Sequence, residues 1–266
     1  WDAPASVAQI GAVVAEVARG FPWVQLLIFP ELAASGAVPF QPPDPPEAWR
    51  RTVQPIPGPL TDELGAIARR WGKWLVPGSL YEAAGDRVYN TALVISPAGE
   101  IVARYRKLFP WLPYEAETTA GDEFCVFDIP EVGRFGLCIC YDQWFPEVAR
   151  TLTWLGAEVI LQPTLTPTSD RTLELVVSQA TAICNQCYFV GVNGLSPLGG
   201  GRSLIVDPDG RVLQQAGDHA ALLTELLDLD HVTRTREFGT LGLTQSLKQL
   251  RDSGRQFPIY QQGVAQ

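Results

Sequence analysis

The segment FGLCICYDQWFPE, residues 135–147, places two cysteines where an apolar run ends in a polar and aromatic turn. Alternating Phe135, Leu137 and Ile139 predict a buried strand that ends at Cys140. A thiol at such an end can be a nucleophile, whereas a cysteine in a core strand can simply pack as a small apolar residue. Nucleophilic chemistry also requires a base that takes the thiol proton and a donor that stabilises the oxyanion.

Candidates for both of these roles stand at the ends of other predicted strands. The histidines that often act as bases, His219 and His231, follow the last core strand, so a Cys–His pair is disfavoured. Glu31 follows the apolar strand 24–29 and precedes an apolar turn, and a semi-buried carboxylate there suits a general base. Lys107 ends a strand and could place a fixed ammonium beside the site, although basic residues also protect exposed strand edges. Together these residues could deprotonate the thiol and stabilise the oxyanion.

The composition is that of an ordinary globular chain. Of the 266 residues, 46% are hydrophobic and 18% are charged, and the formal net charge is −9. Because phosphate binding needs clustered Lys and Arg, this balance argues against nucleic acid as a partner. No apolar run approaches the ~20 residues that cross a bilayer and no signal peptide is visible, so we expect no membrane partner.

The five cysteines form no even disulfide framework, which favours free thiols and a cytoplasmic location. Cys184 and Cys187 form a lone C-x-x-C in a predicted helix, and no second ligand pair accompanies them. A zinc site would need such ligands, and histidine is scarce. We therefore expect no metal and no cofactor, and a zinc hydrolase is disfavoured.

Helix and strand signals alternate along the chain. Helical spacing of apolar residues predicts helices over 5–17, 61–71 with a Thr61–Asp62 cap, about 146–155 and about 169–187. Apolar runs predict strands at 24–29, 73–82 with a break at Pro77–Gly78, 158–163 and 188–194, in addition to the strand ending at Cys140. Two pairs of runs, 89–107 and 202–215, turn through Pro-x-Gly segments and predict hairpins. The proline-rich segment 38–49 predicts a surface loop.

This mixture of hairpins and strand–helix units belongs neither to a simple parallel α/β repeat nor to an all-β fold. It implies a mixed sheet or two sheets, with helices on the outer faces. No linker divides the chain, so we predict a single α/β domain over residues 1–266.

Three segments resemble, in the same order, the signature segments of the nitrilase superfamily of carbon–nitrogen hydrolases. They are FPEL (29–32), YRKLFPW (105–111) and CICYDQWFPE (138–147). The resemblance implies a four-layer αββα sandwich. It also implies that Glu31 is the general base, Lys107 the oxyanion stabiliser and Cys140 the nucleophile.

The same resemblance extends to neighbouring residues. Family members often have a second glutamate after the lysine, and Glu115 fits the pattern PW-x-P-x-E better than Glu117 does. Cys138 is expected on the same strand face as Cys140, two residues back. Tyr141 is expected to open a helix whose first amides can face the oxyanion.

The motifs disagree about which branch of the family the chain resembles. Nitrile-cleaving members typically carry Trp-Glu after the cysteine, whereas this chain has Tyr141–Asp142, which argues for an amide or carbamoyl substrate. CYDQWFPE resembles N-carbamoylputrescine amidohydrolases, and KLFPWLPYE resembles aliphatic amidases and formamidases. We favour hydrolysis of a small linear amide through a cysteine thioester. An N-carbamoyl amine or amino acid amidohydrolase is the alternative, followed by a nitrilase or a non-catalytic subunit of this fold.

Candidate substrate contacts lie around the predicted strand ends. Tyr141 and Trp144 follow the nucleophile, although Trp144 could equally pack in the core. Thr164 and Thr166 follow the strand 158–163, while Thr168 or Ser169 could instead cap the next helix. Asn193 could reach the site or merely close a turn.

Two expectations concern the ends of the chain and its assembly. Family members begin with a strand before the first helix, whereas this sequence opens near that helix and contains no Met, so we expect that a first strand is missing from it. The resemblance implies a homodimer or larger homo-oligomer that packs helical faces together. In it, the apolar segment FPIY (257–260) would form part of an extended arm.

Overall fold

The computed structural model describes residues 2–36, 48–195 and 199–257. In these residues the helices are α1 (Ala3–Gly20), α2 (Pro59–Trp71), α3 (Pro146–Trp154), α4 (Arg171–Asn185), α5 (Leu229–Phe238) and α6 (Ser246–Asp252). The strands of the first half are β1 (Leu26–Ile28), β2 (Gln54–Pro55), β3 (Trp74–Val76), β4 (Ser79–Ala84), β5 (Arg87–Ile95) and β6 (Ile101–Arg106). Those of the second half are β7 (Cys125–Ile129), β8 (Gly133–Leu137), β9 (Val159–Thr164), β10 (Tyr188–Asn193), β11 (Leu204–Val206) and β12 (Val212–Gln215). Two short 3-10 helices, Ala48–Thr52 and Cys140–Trp144, complete the elements.

The strands form two mixed sheets. In the first, the order is β1-β3-β5-β4-β2, with β6 paired to β5. In the second, it is β12-β11-β10-β9-β8-β7, and the central strands β8, β9 and β10 run parallel. Both predicted hairpins are confirmed, because β5 pairs antiparallel with β6 and β11 pairs antiparallel with β12. The parallel centre brings the carboxyl ends of β8, β9 and β10 to one edge of the second sheet.

The two sheets face each other and carry helices on their outer faces. Between the sheets lies an apolar cluster that includes Val94, Leu137, Ile139 and Leu161. A second cluster packs α1 and α2 on the first sheet, and a third packs α3 and α4 on the second. The apolar positions of each amphipathic helix are thereby removed from water, which is the main favourable contribution to folding. The predicted four-layer αββα sandwich is confirmed.

Several boundaries shift by a few residues from the prediction, and three of the differences change a specific expectation. α2 begins at Pro59, and Thr61 is its third residue, where its hydroxyl oxygen accepts from the Gly58 N–H at 2.8 Å. The predicted Thr61–Asp62 cap is therefore wrong by three positions, because proline is well suited to the first turn of a helix. β8 ends at Leu137 and not at Cys140. α4 ends at Asn185, so Cys187 lies beyond the helix.

All five cysteines carry free thiols, and the C-x-x-C pair does not converge, because Cys184 is exposed and Cys187 is buried. In the described part of the chain, no group of three or more His, Cys, Asp or Glu side chains is arranged to hold a metal ion. Among residues 2–36, 48–195 and 199–257, no helix is both long and apolar enough to cross a bilayer.

Some predicted features fall outside the described residues. Most of the proline-rich segment 38–49 is among them, as are the last three residues of FPIY; Phe257 itself is partly exposed. A cavity of about 540 Å³ lies between α1, β1, β10 and residues 216–229. None of the four predicted catalytic residues lines this cavity.

Candidate active site

Cys140 is presented by a sharp turn at the end of β8. The Cys138 N–H still donates to the Leu161 carbonyl at 3.1 Å, and Cys140 then takes a φ of +47° and opens the 3-10 helix. A positive φ is unusual for a residue with a side chain and occurs where the surrounding structure requires it. The Gln162 side-chain amide holds the turn by donating to the Cys140 carbonyl at 3.0 Å.

This turn separates the two cysteines of the segment. Cys138 packs in the cluster under α3 and α4, whereas Cys140 belongs to the cluster between the sheets. The expectation that both thiols share one strand face is therefore wrong, because the strand has ended before Cys140 and the left-handed backbone redirects its side chain. The helix that follows is also a single 3-10 turn, with α3 beginning only at Pro146.

Asp142 anchors the turn that carries Cys140. Its side chain is fully buried, and it accepts from the Ile139 N–H at 2.9 Å, the Tyr105 hydroxyl at 2.7 Å and the Phe109 N–H at 2.9 Å. Burial raises the pKa of this carboxyl to about 6, although these donors and Lys107 oppose the rise. One carboxylate thus joins the turn to β6 and to the loop after Lys107.

We expect Asp142→Asn to destabilise the protein by roughly 2–4 kcal/mol, because the amide nitrogen cannot accept from one set of these buried donors. Chemical unfolding followed by circular dichroism measures the change. The matched control is Asp128→Asn, since Asp128 is an exposed aspartate paired with Arg134. Equal effects of the two substitutions would contradict the anchoring role of Asp142.

Glu31, Lys107 and Glu115 form one buried charge cluster. The Lys107 ammonium contacts Glu31 Oε1 at 3.0 Å and Glu115 Oε2 at 2.5 Å. The Asn90 amide donates to both carboxylates, at 2.8 Å to Glu31 and 2.9 Å to Glu115. The Trp111 N–H donates to Glu115 at 2.7 Å. The cluster draws its residues from the ends of β1 and β6, from β5 and from the loop after Lys107, so tertiary contacts alone bring them together.

Glu115, which the sequence pattern favours, and Glu117 have different surroundings in the structure. Glu115 is in the charge cluster, whereas Glu117 pairs with Arg50 at 2.6 Å and both of those side chains are exposed. The backbone explains the difference, because residues 111–115 turn back on themselves through the Glu115 N–H to Trp111 carbonyl bond. Glu115 therefore points inward and Glu117 outward.

The segment that carries Glu31 crosses between the two sheets. The Glu31 N–H donates to the Thr164 carbonyl at 3.3 Å, and the Leu32 N–H donates to the Ser79 hydroxyl at 2.9 Å. Gly78, with a φ of +80°, lies directly against this segment, and a Cβ there would overlap the Pro30 carbonyl oxygen. The predicted break at Pro77–Gly78 therefore serves close packing beside the site.

Burial and the paired charges act in opposite directions on the pKa values of the cluster. It raises the pKa of Glu31 above its ordinary 4.5, against the lowering effect of Lys107. For Lys107, burial would lower the pKa, but Glu31 and Glu115 outweigh it and hold the pKa well above 10.5. Burial and the nearby carboxylates also raise the pKa of the Cys140 thiol, against Lys107. The thiol is therefore protonated at neutral pH and needs a base before it can attack.

The predicted substrate-contact residues differ in how deeply they are buried and in what their side chains bind. Tyr141 and Trp144 are partly buried in the turn after Cys140. Thr164 is buried, and its hydroxyl lies 3.1 Å from that of Thr166. Asn193 is buried and uses its side chain on backbone groups, accepting from the Thr166 N–H at 2.8 Å and donating to the Thr166 and Gly201 carbonyls. Asn193 thus holds the loop after β9.

Several residues near the site carried no usable signal in the sequence. Asn90 is the second residue of a predicted strand, and nothing local marks it as a bridge between two glutamates. Arg171 and Glu174 are charged residues on a predicted amphipathic helix, where exposure is the usual expectation. Both are instead buried and paired at 3.0 Å, and Glu174 accepts from the Thr166 hydroxyl at 3.0 Å. The N-cap of α4 is Asp170, not Thr168 or Ser169.

Neither histidine is placed to serve the thiol. His219 is almost fully exposed beside Asp218. His231 lies on α5 and contacts Asp209 at 3.0 Å in the turn between β11 and β12. The carboxylates of Glu31 and Glu174, in contrast, lie near enough to raise the pKa of the Cys140 thiol.

Comparison with known proteins gives a consistent picture. A family model described as carbon-nitrogen hydrolase matches residues 1–237. A formamidase from Bacillus cereus is 31% identical over 196 residues, which cover 72% of this chain and 57% of the formamidase. The chain therefore spans less than two thirds of the length of the formamidases that it matches.

Solved structures agree with the fold. A variant of the amidase from Nesterenkonia sp. AN1, with acrylamide added to its active-site cysteine, has a TM-score of 0.73 and 26% identity, covering 88% of this chain and 91% of that chain. Nit3 of Saccharomyces cerevisiae, a member of branch 10 of the nitrilase superfamily, has a TM-score of 0.78 and 22% identity, covering 89% and 88%. At this lower identity, the second likeness bears on the fold alone.

Proposed function

The chain belongs to the carbon–nitrogen hydrolase family, and from that premise we propose that it hydrolyses a small linear amide to a carboxylate and ammonia through a thioester on Cys140. The observation that carries the proposal is the buried cluster of Glu31, Lys107 and Glu115, which adjoins a buried thiol held on a turn with positive φ. The amidase and formamidase relatives support the amide as the substrate class.

In the proposed first step, Glu31 removes the Cys140 thiol proton while the sulfur attacks the amide carbon. A buried carboxyl with a raised pKa is a stronger base at neutral pH than an exposed one, which suits this transfer. The carbonyl electrons move to oxygen, and the Lys107 ammonium stabilises that oxyanion. When the oxyanion collapses, the C–N bond breaks and the proton on Glu31 leaves with the nitrogen as ammonia.

In the second step, water attacks the thioester carbon while Glu31 takes one of its protons. The oxyanion collapses again, the C–S bond breaks, and Glu31 returns its proton to the sulfur. The acid product keeps the second proton of the water, gives it to solvent and leaves as the carboxylate. Lys107 remains a charge stabiliser throughout and forms no covalent bond to the substrate. Its high pKa supports this role, because an imine would require the neutral amine.

Glu115 completes the proposed acid–base group. Lys107 and Asn90 join it to Glu31, so a proton gained by one carboxylate changes the charge that the other experiences. We therefore assign Glu115 to the proton transfers, and not only to the position of the substrate.

We expect Glu115→Gln to lower ammonia release by at least about a hundredfold with the fold intact, the usual lower scale for an acid–base group. Steady-state ammonia release measures turnover, and the mass of the intact protein detects any acyl group on Cys140. Glu117→Gln is the matched control, because Glu117 lies two residues away and is paired with Arg50 at the surface. Near wild-type turnover in Glu115→Gln would leave a three-residue site.

The experiment that tests the function is a panel of small amides, N-carbamoyl compounds and nitriles, each assayed for ammonia. Release from a short aliphatic amide or formamide supports the proposal. Preference for an N-carbamoyl compound or a nitrile would replace the substrate class, and no release from any compound would favour a non-catalytic subunit. A reducing compartment keeps the thiol free, so we also propose a cytoplasmic location.

We further propose that two copies associate through the outer helical face of the second sheet. Leu173, Val176 and Ile183 share one side of α4 and are about half exposed or more, and Trp154 on α3 is also exposed. Apolar residues grouped on one face commonly mark an interface. Light scattering at micromolar concentration is expected to give at least twice the chain mass of 29.1 kDa. A monomer mass would refute the dimer.

A further inference from the structure

Cys140 has a second carboxylate nearby, that of Glu174 on α4, and the proposed mechanism does not use it. The Thr166 hydroxyl lies 3.9 Å from the Cys140 sulfur, within hydrogen-bonding range for sulfur, and donates to Glu174 Oε1 at 3.0 Å. Glu174 lies on the first turn of α4 and is 2% exposed. A chain of contacts therefore runs from α4 through one hydroxyl to the thiol.

Arg171 determines how Glu174 can be used. Its guanidinium is 1% exposed and contacts Glu174 Oε2 at 3.0 Å, while its other nitrogens donate to the carbonyls of Gly201 at 3.2 Å and Arg202 at 2.8 Å. A guanidinium can only donate, so Oε2 must accept. A protonated Glu174 would leave the buried cation without a counter-ion, which is the costlier arrangement. Glu174 is therefore a carboxylate that only accepts.

The single hydroxyl proton of Thr166 then determines the direction of its other hydrogen bonds. A threonine hydroxyl has one proton, and that of Thr166 is given to Glu174. Toward Cys140 and Thr164, which lies 3.1 Å away, Thr166 can present only lone pairs. The Cys140 S–H can donate to this oxygen, whereas a resting thiolate would meet a lone pair.

We propose that Glu174, held by Arg171, is a positioning residue that fixes the Thr166 hydroxyl as a hydrogen-bond acceptor toward Cys140 and so favours the protonated thiol in the resting protein. The thiolate would then form only when Glu31 removes the proton during attack. This protects the sulfur from unproductive reaction, because the thiolate is the form that alkylating agents and oxidants attack. The inference rests on the proposed function only in treating Cys140 as the nucleophile.

The charged groups around the thiol all bear on this balance. They are Glu31 and Lys107 from the first sheet, Glu115 from the loop, Asp142 from the turn that carries Cys140, and Arg171 and Glu174 from α4. Lys107 favours the thiolate, while Glu31 and Glu174 disfavour it. The contacts from Glu174 through Thr166 to Cys140, here called the relay, add a hydrogen bond whose direction favours the thiol over the thiolate.

Glu174→Gln tests the direction of the relay with almost no change in shape. Arg171 still requires an acceptor, so the oxygen of the introduced amide faces Arg171 and its N–H₂ faces Thr166. Thr166 must then accept from that amide, which frees its own proton for Cys140, either directly or through the Thr164 hydroxyl 3.1 Å away, which can in turn donate to Cys140. The contact that opposed the thiolate becomes one that stabilises it.

The readout is the rate at which methyl methanethiosulfonate, a small neutral reagent, modifies Cys140 between pH 6 and pH 10. Peptide mass spectrometry reports Cys140 separately from the exposed Cys184. In the wild type we expect modification only on the alkaline side of this range. In Glu174→Gln we expect the profile to move to lower pH, with a rate at pH 8 about tenfold higher, which corresponds to one unit in the thiol pKa. An unchanged profile would overturn the proposal.

Thr166→Val separates the relay from the loss of charge alone. In the Thr166→Val background, Glu174→Gln is expected to move the profile much less, because no hydroxyl remains to reverse. A shift of the same size in that background would overturn the relay. If circular dichroism shows that Glu174→Gln does not fold, the single variant Thr166→Val, which keeps the buried ion pair of Arg171 and Glu174, tests the proposal instead. Slower modification in it would mean that Thr166 donates to the thiolate, against the proposal.

These measurements use no amide substrate, so their failure and the failure of the proposed function can be told apart. If Glu174→Gln shifts the profile but no amide is hydrolysed, the relay stands and the substrate class is wrong. If amides are hydrolysed and the profile does not shift, the function stands and Glu174 has only a structural role.

Discussion

Cys140→Ala is expected to reduce ammonia release by about four orders of magnitude or more, as removal of a nucleophile typically does. The side chain is small and lies on a turn held by backbone and Gln162 contacts that the substitution leaves in place. The fold should therefore survive, and circular dichroism checks this. Steady-state ammonia release on the best amide of the panel is the measurement, and intact mass should show no acyl adduct in the variant.

The other thiols supply the controls. Cys184→Ser changes an exposed thiol on α4 and should leave turnover near the wild-type value. Cys138→Ala changes a buried thiol in the helix-facing cluster, so it can lower stability without removing the nucleophile. Normal turnover in Cys140→Ala, or a loss in Cys184→Ser as large as that in Cys140→Ala, would show that the proposed mechanism is wrong.

Lys107→Met is expected to lower turnover by about a thousandfold, the scale found when a preorganised oxyanion donor is removed. Methionine has a similar length and no charge, so the variant removes the ammonium that faces Glu31 and Glu115 while filling much of its space. The oxyanion then loses its stabiliser, and the thiolate loses a nearby cation that favours it. Steady-state ammonia release is again the measurement.

The same variant should alter the pH dependence of stability. Burial already raises the pKa of Glu31 above 4.5, and loss of Lys107 removes the largest opposing effect. A group whose pKa is raised by folding binds more protons in the native state, so stability falls as pH rises above the unfolded pKa. Between about pH 4.5 and the higher native pKa, the melting temperature of Lys107→Met should fall more steeply with pH than that of the wild type.

Lys73→Met is the matched control for this lysine. Lys73 is also buried, but its ammonium donates to the backbone carbonyls of Pro22 and Val24 and contacts no carboxylate in the described residues. Its substitution can lower stability but should not steepen the pH dependence, and turnover should change little. If both variants gave parallel melting curves, Lys107 would have no special influence on the buried carboxylates.

Local patterns in the sequence predict most of the helices, strands and hairpins. The Pro-x-Gly turns between apolar runs predict the hairpins β5–β6 and β11–β12, because turn chemistry and alternation are properties of adjacent residues. Helical spacing likewise predicts α1 to α4, although their ends shift by a few residues. The three signature segments identify the family, and they nominate Glu31, Lys107 and Cys140 through a resemblance and not through any visible contact.

Only the tertiary structure decided which side chains meet. Glu31 and Lys107 are 76 residues apart, and no periodicity in the chain reports that their side chains lie 3.0 Å apart. The motif favoured Glu115 over Glu117, but only the structure shows the turn that aims Glu115 inward and leaves Glu117 with Arg50. The roles of these residues in turnover stay predictions.

The buried pair of Arg171 and Glu174 shows most clearly where sequence reasoning stops. Charged residues on an amphipathic helix predict exposure, since burial of a charge is costly. Here that cost is offset by partners on distant segments, the Thr166 hydroxyl after β9 and the carbonyls of Gly201 and Arg202. Likewise, the positive φ of Cys140 is held by hydrogen bonds to Asp142, which lies in the same 3-10 turn, and to Gln162 on β9. Local sequence determines which elements form, whereas burial and long-range hydrogen bonds determine which polar groups become a site.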